Sequence, residues 1–481
     1  MPRERQPLGG IAEEKAFQQY ILILSVAVTT QEKYEMEVWR KQWAEKKWGI
    51  VFGITSVLAV LLLLGTATFI FDVKDTRFVP MNSLRYHNCF TAYAAAAYLA
   101  STGTVDLYNP IHYNTASSYS TPIHEAVREI FPIDDFEYPP PFLLLPYGLL
   151  VMFKDFFAMR TAWFLLTVIF FITALAGVAA WCGAFRSQPR LLLFPLLLCA
   201  PTVLTTLQIC NVHVLILAIS LLAMIAFEED HPLVGGVLLG FATVAKIWPA
   251  ILIVYLIVQR RWRRVFYCVI AMTIFVLGGL LLFGLAPYQN FLAFQLPRLS
   301  SGEAFDFMAR SPREIVFNIS IFGIPHKLYA LHLLASQPKL LSPVLNWSFI
   351  MLIGLVVVAA GLRLGTDTKE NDNDRLIKVQ LWLTLLTLVQ LRSPFLPWIY
   401  GVISTLWLLL LLAPTMNGWK LGVIGVAWVA LAINLQVTSN MKMASFDLGY
   451  TLFASLFIYG AILVSLYKYY QHAYCSFRVC S

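Results

Sequence analysis

Pro232-Leu-Val-Gly-Gly-Val-Leu-Leu-Gly-Phe-Ala-Thr-Val-Ala-Lys246-Ile-Trp-Pro-Ala-Ile-Leu-Ile-Val-Tyr-Leu-Ile-Val258 is an almost wholly apolar run with a single cation, Lys246. A charge in hydrocarbon costs several kcal/mol unless it meets water, a counter-ion or an anionic ligand. The run is therefore membrane-embedded, and Lys246 needs a partner. The whole chain agrees. Of 481 residues, 59% are hydrophobic and 13% charged, with a mean hydropathy of +0.69. Soluble domains carry about 25% charged residues, so the composition describes an all-α polytopic membrane protein. The net charge of +8 then belongs on a membrane face, and nucleic acid is not an expected partner.

Apolar segments near 49–71, 160–183, 191–227, 233–258, 265–286, 345–362, 377–391, 395–413, 418–438 and 450–468 predict about ten to twelve helices. Several are shorter than the ~20 residues a spanning helix needs. The segments 191–227 and 233–258 read as broken or hairpin helices, interrupted near Pro201 and Trp248-Pro249. Basic clusters at Lys46-Lys47, Arg186/Arg190, Gln259-Arg-Arg-Trp-Arg-Arg264, Arg363–Arg375 and Lys468 all fall on one side when spans are counted from a cytoplasmic N-terminus. Both termini are then cytoplasmic, in a bacterial-type inner or plasma membrane. The expected parts are an amphipathic arm over 1–48, a transmembrane domain over 49–468 and a tail over 469–481. Trp39 and Trp43 lie one turn apart in the arm, which suits the membrane surface or another membrane protein.

Two long segments, 72–157 and 286–346, lie on the opposite face, with helical patterns at Thr91–Ser101 and Arg313–Leu334. Unstructured loops of that length are uncommon unless functional, and their apolar content argues against disorder. Asn318-Ile-Ser and Asn346-Trp-Ser fit glycosylation sequons. The seven cysteines are scattered, without the spacing of a zinc site or a disulfide framework.

Several stretches in order make up a pattern. They are Tyr93-Ala-Ala-Ala-Ala-Tyr-Leu-Ala-Ser-Thr-Gly103 with Leu107-Tyr-Asn-Pro110, then Phe136-Glu-Tyr-Pro-Pro-Pro-Phe-Leu-Leu-Leu-Pro146, then Leu207-Gln-Ile-Cys-Asn211. Gly240-Phe-Ala-Thr-Val-Ala-Lys-Ile-Trp-Pro-Ala250 runs into Gln259-Arg-Arg-Trp262, and Ser393-Pro394 follows. Across about residues 49 to 440 this set resembles glycosyltransferase family 87. The resemblance implies the C-type glycosyltransferase fold and transfer of mannose or another hexose from a polyprenyl-phosphate donor. The acceptor would be a lipid or glycan on the non-cytoplasmic face.

Read physically, Tyr138-Pro139-Pro140-Pro141 is a stiff extended entry into a membrane-level helix. Lys246, a compact cation with rotatable donors, suits the donor phosphate. Arg392, ahead of Ser393-Pro394, can supply a second cation, since a guanidinium grips phosphate oxygens in pairs. Both can equally snorkel to membrane lipids. Gln208 and Asn211 can bind a sugar or a neighbouring helix, and Glu137 can bind a sugar hydroxyl.

Sugar transfer of this kind calls for a base on the acceptor hydroxyl. The resembled family carries an aspartate before an aromatic residue just ahead of the Ala-rich helix, where this chain has Cys89-Phe90. Asp75, Asp72 and His87, from the same loop, are the candidate substitutes. Asp134-Asp135 is an adjacent pair rather than a metal-binding Asp-x-Asp spacing. The expected scheme needs no metal or other cofactor beyond the polyprenyl-phosphate sugar as substrate. An alternative is an inactive glycosyltransferase-like subunit of a larger membrane complex. A lipid-linked sugar transporter is disfavoured by the lack of repeated halves.

Overall fold

The computed structural model describes residues 48–75, 78–114, 120–185, 187, 189–305, 312–334, 338–363, 371–433 and 444–479. The amphipathic arm, apart from its last residue, lies outside this range, as do Lys46, Lys47 and Arg186. Among the described residues the protein is helical, with one isolated bridge between Asn318 and Pro397. Helices of eight residues or more are α1 Trp48–Phe71, α2 Phe90–Ser101, α3 Leu144–Phe153, α4 Phe156–Trp181, α5 Pro201–Gln208, α6 His213–Glu228, α7 Pro232–Ala245 and α8 Ala250–Val258. They continue with α9 Trp262–Phe283, α10 Gly323–Ala330, α11 Pro338–Arg363, α12 Asp372–Leu391, α13 Ile403–Leu412, α14 Trp419–Ala432 and α15 Ala444–Val479.

Among the described residues six helices are long and apolar enough to cross a membrane. The pair Arg190–Cys199 and Pro201–Gln208, bent by 48°, meets the same criterion only when its two helices are taken together, as a broken span or a re-entrant hairpin. Other apolar segments form shorter helices, including Pro140–Phe153, α6, α7 and α14, while 377–391 lies within the 20-residue α12. The expected breaks are present. Pro201 opens α5 after the bend, and Ile247-Trp248-Pro249 separates α7 from α8. The most hydropathic window of α9 is only 17% buried, whereas that of Trp398–Thr415 is 83% buried. The first faces lipid and the second is a central post.

α6 lies between α4 and α7, and α7 packs in turn on α9. Gly236 and Gly240, one small-x-x-x-small step apart, make the α7–α9 contact close. A Cβ at Gly236 would stand 2.6 Å from the Tyr267 Cβ, and one at Gly240 would stand 2.8 Å from the Ala271 Cβ. α12 packs on α13 and α15, and reaches the first group of helices through α8 and α4. The C-terminal end of α1 is capped from inside. The buried Arg160 of α4 donates to the carbonyls of Phe69 and Ile70 at 3.5 and 3.1 Å, a favourable place for a cation.

The two ends of α6 set two ends of the molecule. At Glu228 the carboxylate pairs with Arg261, with Arg264 at 2.6 Å and with Lys378 at 2.5 Å. Nearby, Glu229 meets Arg375 at 3.8 Å, and Asp374 meets His472 at 2.7 Å. Residues of two of the basic clusters noted in the sequence, Arg261 and Arg264 of one and Arg375 of the other, thus gather at one end. The other end begins at His213, about 22 Å away at 1.5 Å per residue.

The two long loop segments pack on one another at that second end. Asn290 donates to the Val105 carbonyl at 2.9 Å, and the Tyr108 and Phe291 rings lie 5.7 Å apart. Asn318 is fully buried. Its amide donates to the Pro394 carbonyl at 2.9 Å and accepts from Leu396 and Ser320 at 3.0 Å. Asn346 is buried in α11.

Candidate functional site

Lys246 is the residue that ends α7. Its backbone turns to an extended conformation there, with its amide still donating to Ala242 at 2.9 Å. The half-buried side chain holds its ammonium over the faces of Tyr138 and Tyr400, 5.4 and 5.3 Å from the ring centres. Such contacts contribute about 0.5–2 kcal/mol each, too little alone to offset the loss of water around a charge. The buried His213 ring stacks on Trp248 at 5.2 Å and lies tilted against Tyr400 at 5.0 Å. The cation therefore projects from a rigid aromatic frame.

The Tyr-Pro-Pro-Pro element builds part of that frame. Pro139 is extended, and Pro140–Leu143 forms a single 3-10 turn leading into α3. Tyr138 is pinned twice: its hydroxyl is 3.0 Å from that of Tyr93, and its carbonyl accepts from Tyr108 at 2.8 Å. Glu137, the residue before it, is half-buried. Burial first, and then the charges of Asp135 and Asp134, push its carboxyl up to about 8 against the pull of Lys246 and Arg298. Lys246 and Glu137 thus stand within electrostatic reach of each other.

Cys89, Asn211, His87 and Asp134 form the other half of the site. Cys210 adopts φ +54°, a strained conformation for a residue with a side chain. Its carbonyl is held by the Trp163 indole at 3.0 Å. The turn aims the Asn211 amide at the Cys89 sulfur, 3.3 Å away, while the Asn211 oxygen accepts from the His213 amide at 2.9 Å. The Cys89 sulfur is 3.5 Å from His87 Nε2, and His87 Nδ1 is 3.5 Å from an Asp134 oxygen. The Asp134 backbone is fixed by Thr91, whose hydroxyl accepts its amide at 3.2 Å. Burial raises the Asp134 carboxyl above the usual carboxylate range, with His87 pulling it back. Lys246 lies within electrostatic reach of Cys89, so the two halves adjoin.

The predicted residues separate clearly. Lys246, Glu137, Asn211 and His87 converge. Gln208 is occupied in holding the preceding loop: its oxygen accepts from the Met81 amide at 3.2 Å, and its nitrogen donates to Met81 and Leu84 carbonyls at 3.3 Å. Asp72 is exposed in the turn after α1, accepting from the Lys74 amide at 3.0 Å. Asp75 donates its amide to Asp72 in the same turn. Neither belongs to the group at Cys89. Arg392 caps the end of α12, half-buried, and makes no ion pair among the described residues. Arg298, from the second loop, acts electrostatically on Asp135 and Glu137 instead. Arg298 is a residue that sequence reasoning missed, and Asp134 is one that it noted only as half of an adjacent pair and set aside. The available signal for Asp134 was its place just ahead of Phe136-Glu-Tyr-Pro.

No curated protein and no solved structure matches the chain. The description glycosyltransferase family 87 does match, over residues 136–394. That stretch holds Glu137, the triple proline, Asn211, Lys246 and Ser393-Pro394, while Cys89 and His87 precede it. Over more than half of its length, with these residues gathered at one end of a helical membrane bundle, the chain belongs to glycosyltransferase family 87.

Proposed function

We propose that this membrane glycosyltransferase moves a hexose, mannose-like in class, from a polyprenyl-phosphate donor to a lipid or glycan acceptor on the non-cytoplasmic face. The gathering of basic side chains around Glu228, at the end of α6 remote from the site, supports that orientation. Cytoplasmic termini follow from the same orientation, and the membrane proposed is a bacterial-type plasma membrane.

The observation that carries it is Lys246, held over two tyrosine faces and left half-exposed at the rim of a short helix. There its ammonium can take the phosphate oxygens of the donor and offset the charge that grows as the glycosidic bond breaks. Arg298, rather than Arg392, is the second cation that supports this pocket. Asn211 positions Cys89, and Glu137 borders the sugar. Asp134 brings a carboxylate to the place where the resemblance expects one, which supports an active enzyme over an inactive subunit. His87, 3.5 Å from that carboxylate, orients it.

The test is Lys246→Ala in reconstituted membranes supplied with polyprenyl-phosphate mannose and a membrane lipid extract as acceptor. Transfer should fall about 100-fold or more with an unchanged elution profile in detergent. Unaltered turnover would remove Lys246 from the donor site.

A further inference from the structure

The geometry points to a divalent metal site, zinc in class, formed by His87, Cys89 and Asp134. Their ligand atoms all lie within 4.8 Å of one another. The separations from the sulfur to His87 Nε2 and from His87 Nδ1 to an Asp134 oxygen are each 3.5 Å. A tetrahedral zinc with bonds of about 2.0–2.3 Å spaces its ligand atoms at roughly 3.3–3.8 Å. The two separations use different ring nitrogens; with His87 offering one of them, the three ligand atoms lie within 4.8 Å of one another, and binding an ion would draw the side chains inward. Sulfur, nitrogen and oxygen donors together suit zinc better than calcium or magnesium, which take oxygen. Three protein ligands leave a fourth position open, as in catalytic rather than structural zinc sites.

The surroundings hold the ligands in place. Asn211 donates to the Cys89 sulfur at 3.3 Å, which fixes the direction in which that sulfur points. The backbone is set beforehand. The Cys89 amide donates to the Ile209 carbonyl at 2.9 Å, and Thr91 fixes Asp134. The His87 and Asp134 side chains are 37% and 29% exposed, so an ion has an entry path from outside the bundle. The cysteine that replaces the expected aspartate thus becomes the softest ligand of a cation. That this cation borders the acceptor, with Asp134 and His87 then serving there as its ligands rather than as a free carboxylate and its orienting group, rests on the function proposed above; its binding does not.

The experiment uses the full chain, purified in detergent and stripped by chelation, then titrated with zinc against a chromophoric chelator and separately with cobalt. Stoichiometric zinc uptake and a thiolate-to-cobalt charge-transfer band are expected. Cys89→Ser should lose the band, and His87→Gln and Asp134→Asn should weaken zinc about tenfold or more. Asn211→Ala keeps all three ligands, so it should keep the band while affinity drops by about 10–100-fold. That variant remains informative if Cys89→Ser misfolds. Lys246→Ala should bind zinc and lose transfer, which separates the two proposals. Absence of uptake by the natural chain would overturn the site. So would uptake that is equal in the Cys89, His87 and Asp134 variants.

Discussion

Glu137 and Lys246 make a pH-dependent pair at the residue scale. The carboxyl is raised from an ordinary 4.5 to about 8, chiefly by burial. The folded protein therefore binds this proton more tightly than the unfolded chain. The stabilisation is complete below about 4.5 and is lost as pH rises toward about 8. The same ionisation places a negative charge beside the cation meant for phosphate. Donor KM is expected to rise as pH passes through about 8, and Glu137→Gln should flatten the profile measured between about pH 7 and 9. A profile identical in the two proteins would remove Glu137 from the donor pocket. Lys246 was legible in the sequence because one cation interrupts a long apolar run. Asp134 was not, because its meeting with Cys89 depends on how the loop between them folds. Asp72 and Asp75 were nearer in sequence to the expected position, yet the turn after α1 spends them locally.

At the scale of elements, α7 is a short helix whose position is set by its glycines. The Gly236 and Gly240 contacts bring it against α9 with no room for a side chain. Gly240→Val should cost about 1–3 kcal/mol through overpacking, read as a lower unfolding temperature in detergent. Because α7 ends at Lys246, transfer should fall further than stability alone explains. Equal melting of variant and parent would refute the close packing. Helix breaks were readable from proline, at Pro201 and Pro249, because a ring without an N–H cannot continue a helical ladder. The division into spanning helices and shorter buried ones was less readable. Composition makes α6 and α7 as apolar as α1, and only packing shows which are screened from lipid by other helices.

Across the whole molecule, α6 links an ion cluster at Glu228 to the site at His213. The cluster holds one carboxylate against three cations, with the Glu228 side chain only 7% exposed. Glu228→Ala leaves Arg261, Arg264 and Lys378 to repel one another in a poorly hydrated place. A loss of about 3–5 kcal/mol is expected, seen as earlier thermal unfolding, while donor KM in the protein that remains folded stays near its parent value. A large KM change would mean that the two ends are coupled. The sidedness of basic residues was legible because charge sorting acts on whole loops. The convergence of the two long loops was legible only as a shared face; their contacts required the fold. Asn318 bears on how the chain is produced. Its amide is consumed between Pro394, Leu396 and Ser320, so a sugar can be attached only before that region closes. In a secretory host, an oligosaccharide added at Asn318 would lock the polypeptide out of its native state. Expression there would yield a misassembled, glycan-bearing fraction, and Ser320→Ala would remove the acceptor motif while leaving the asparagine's own bonds in place.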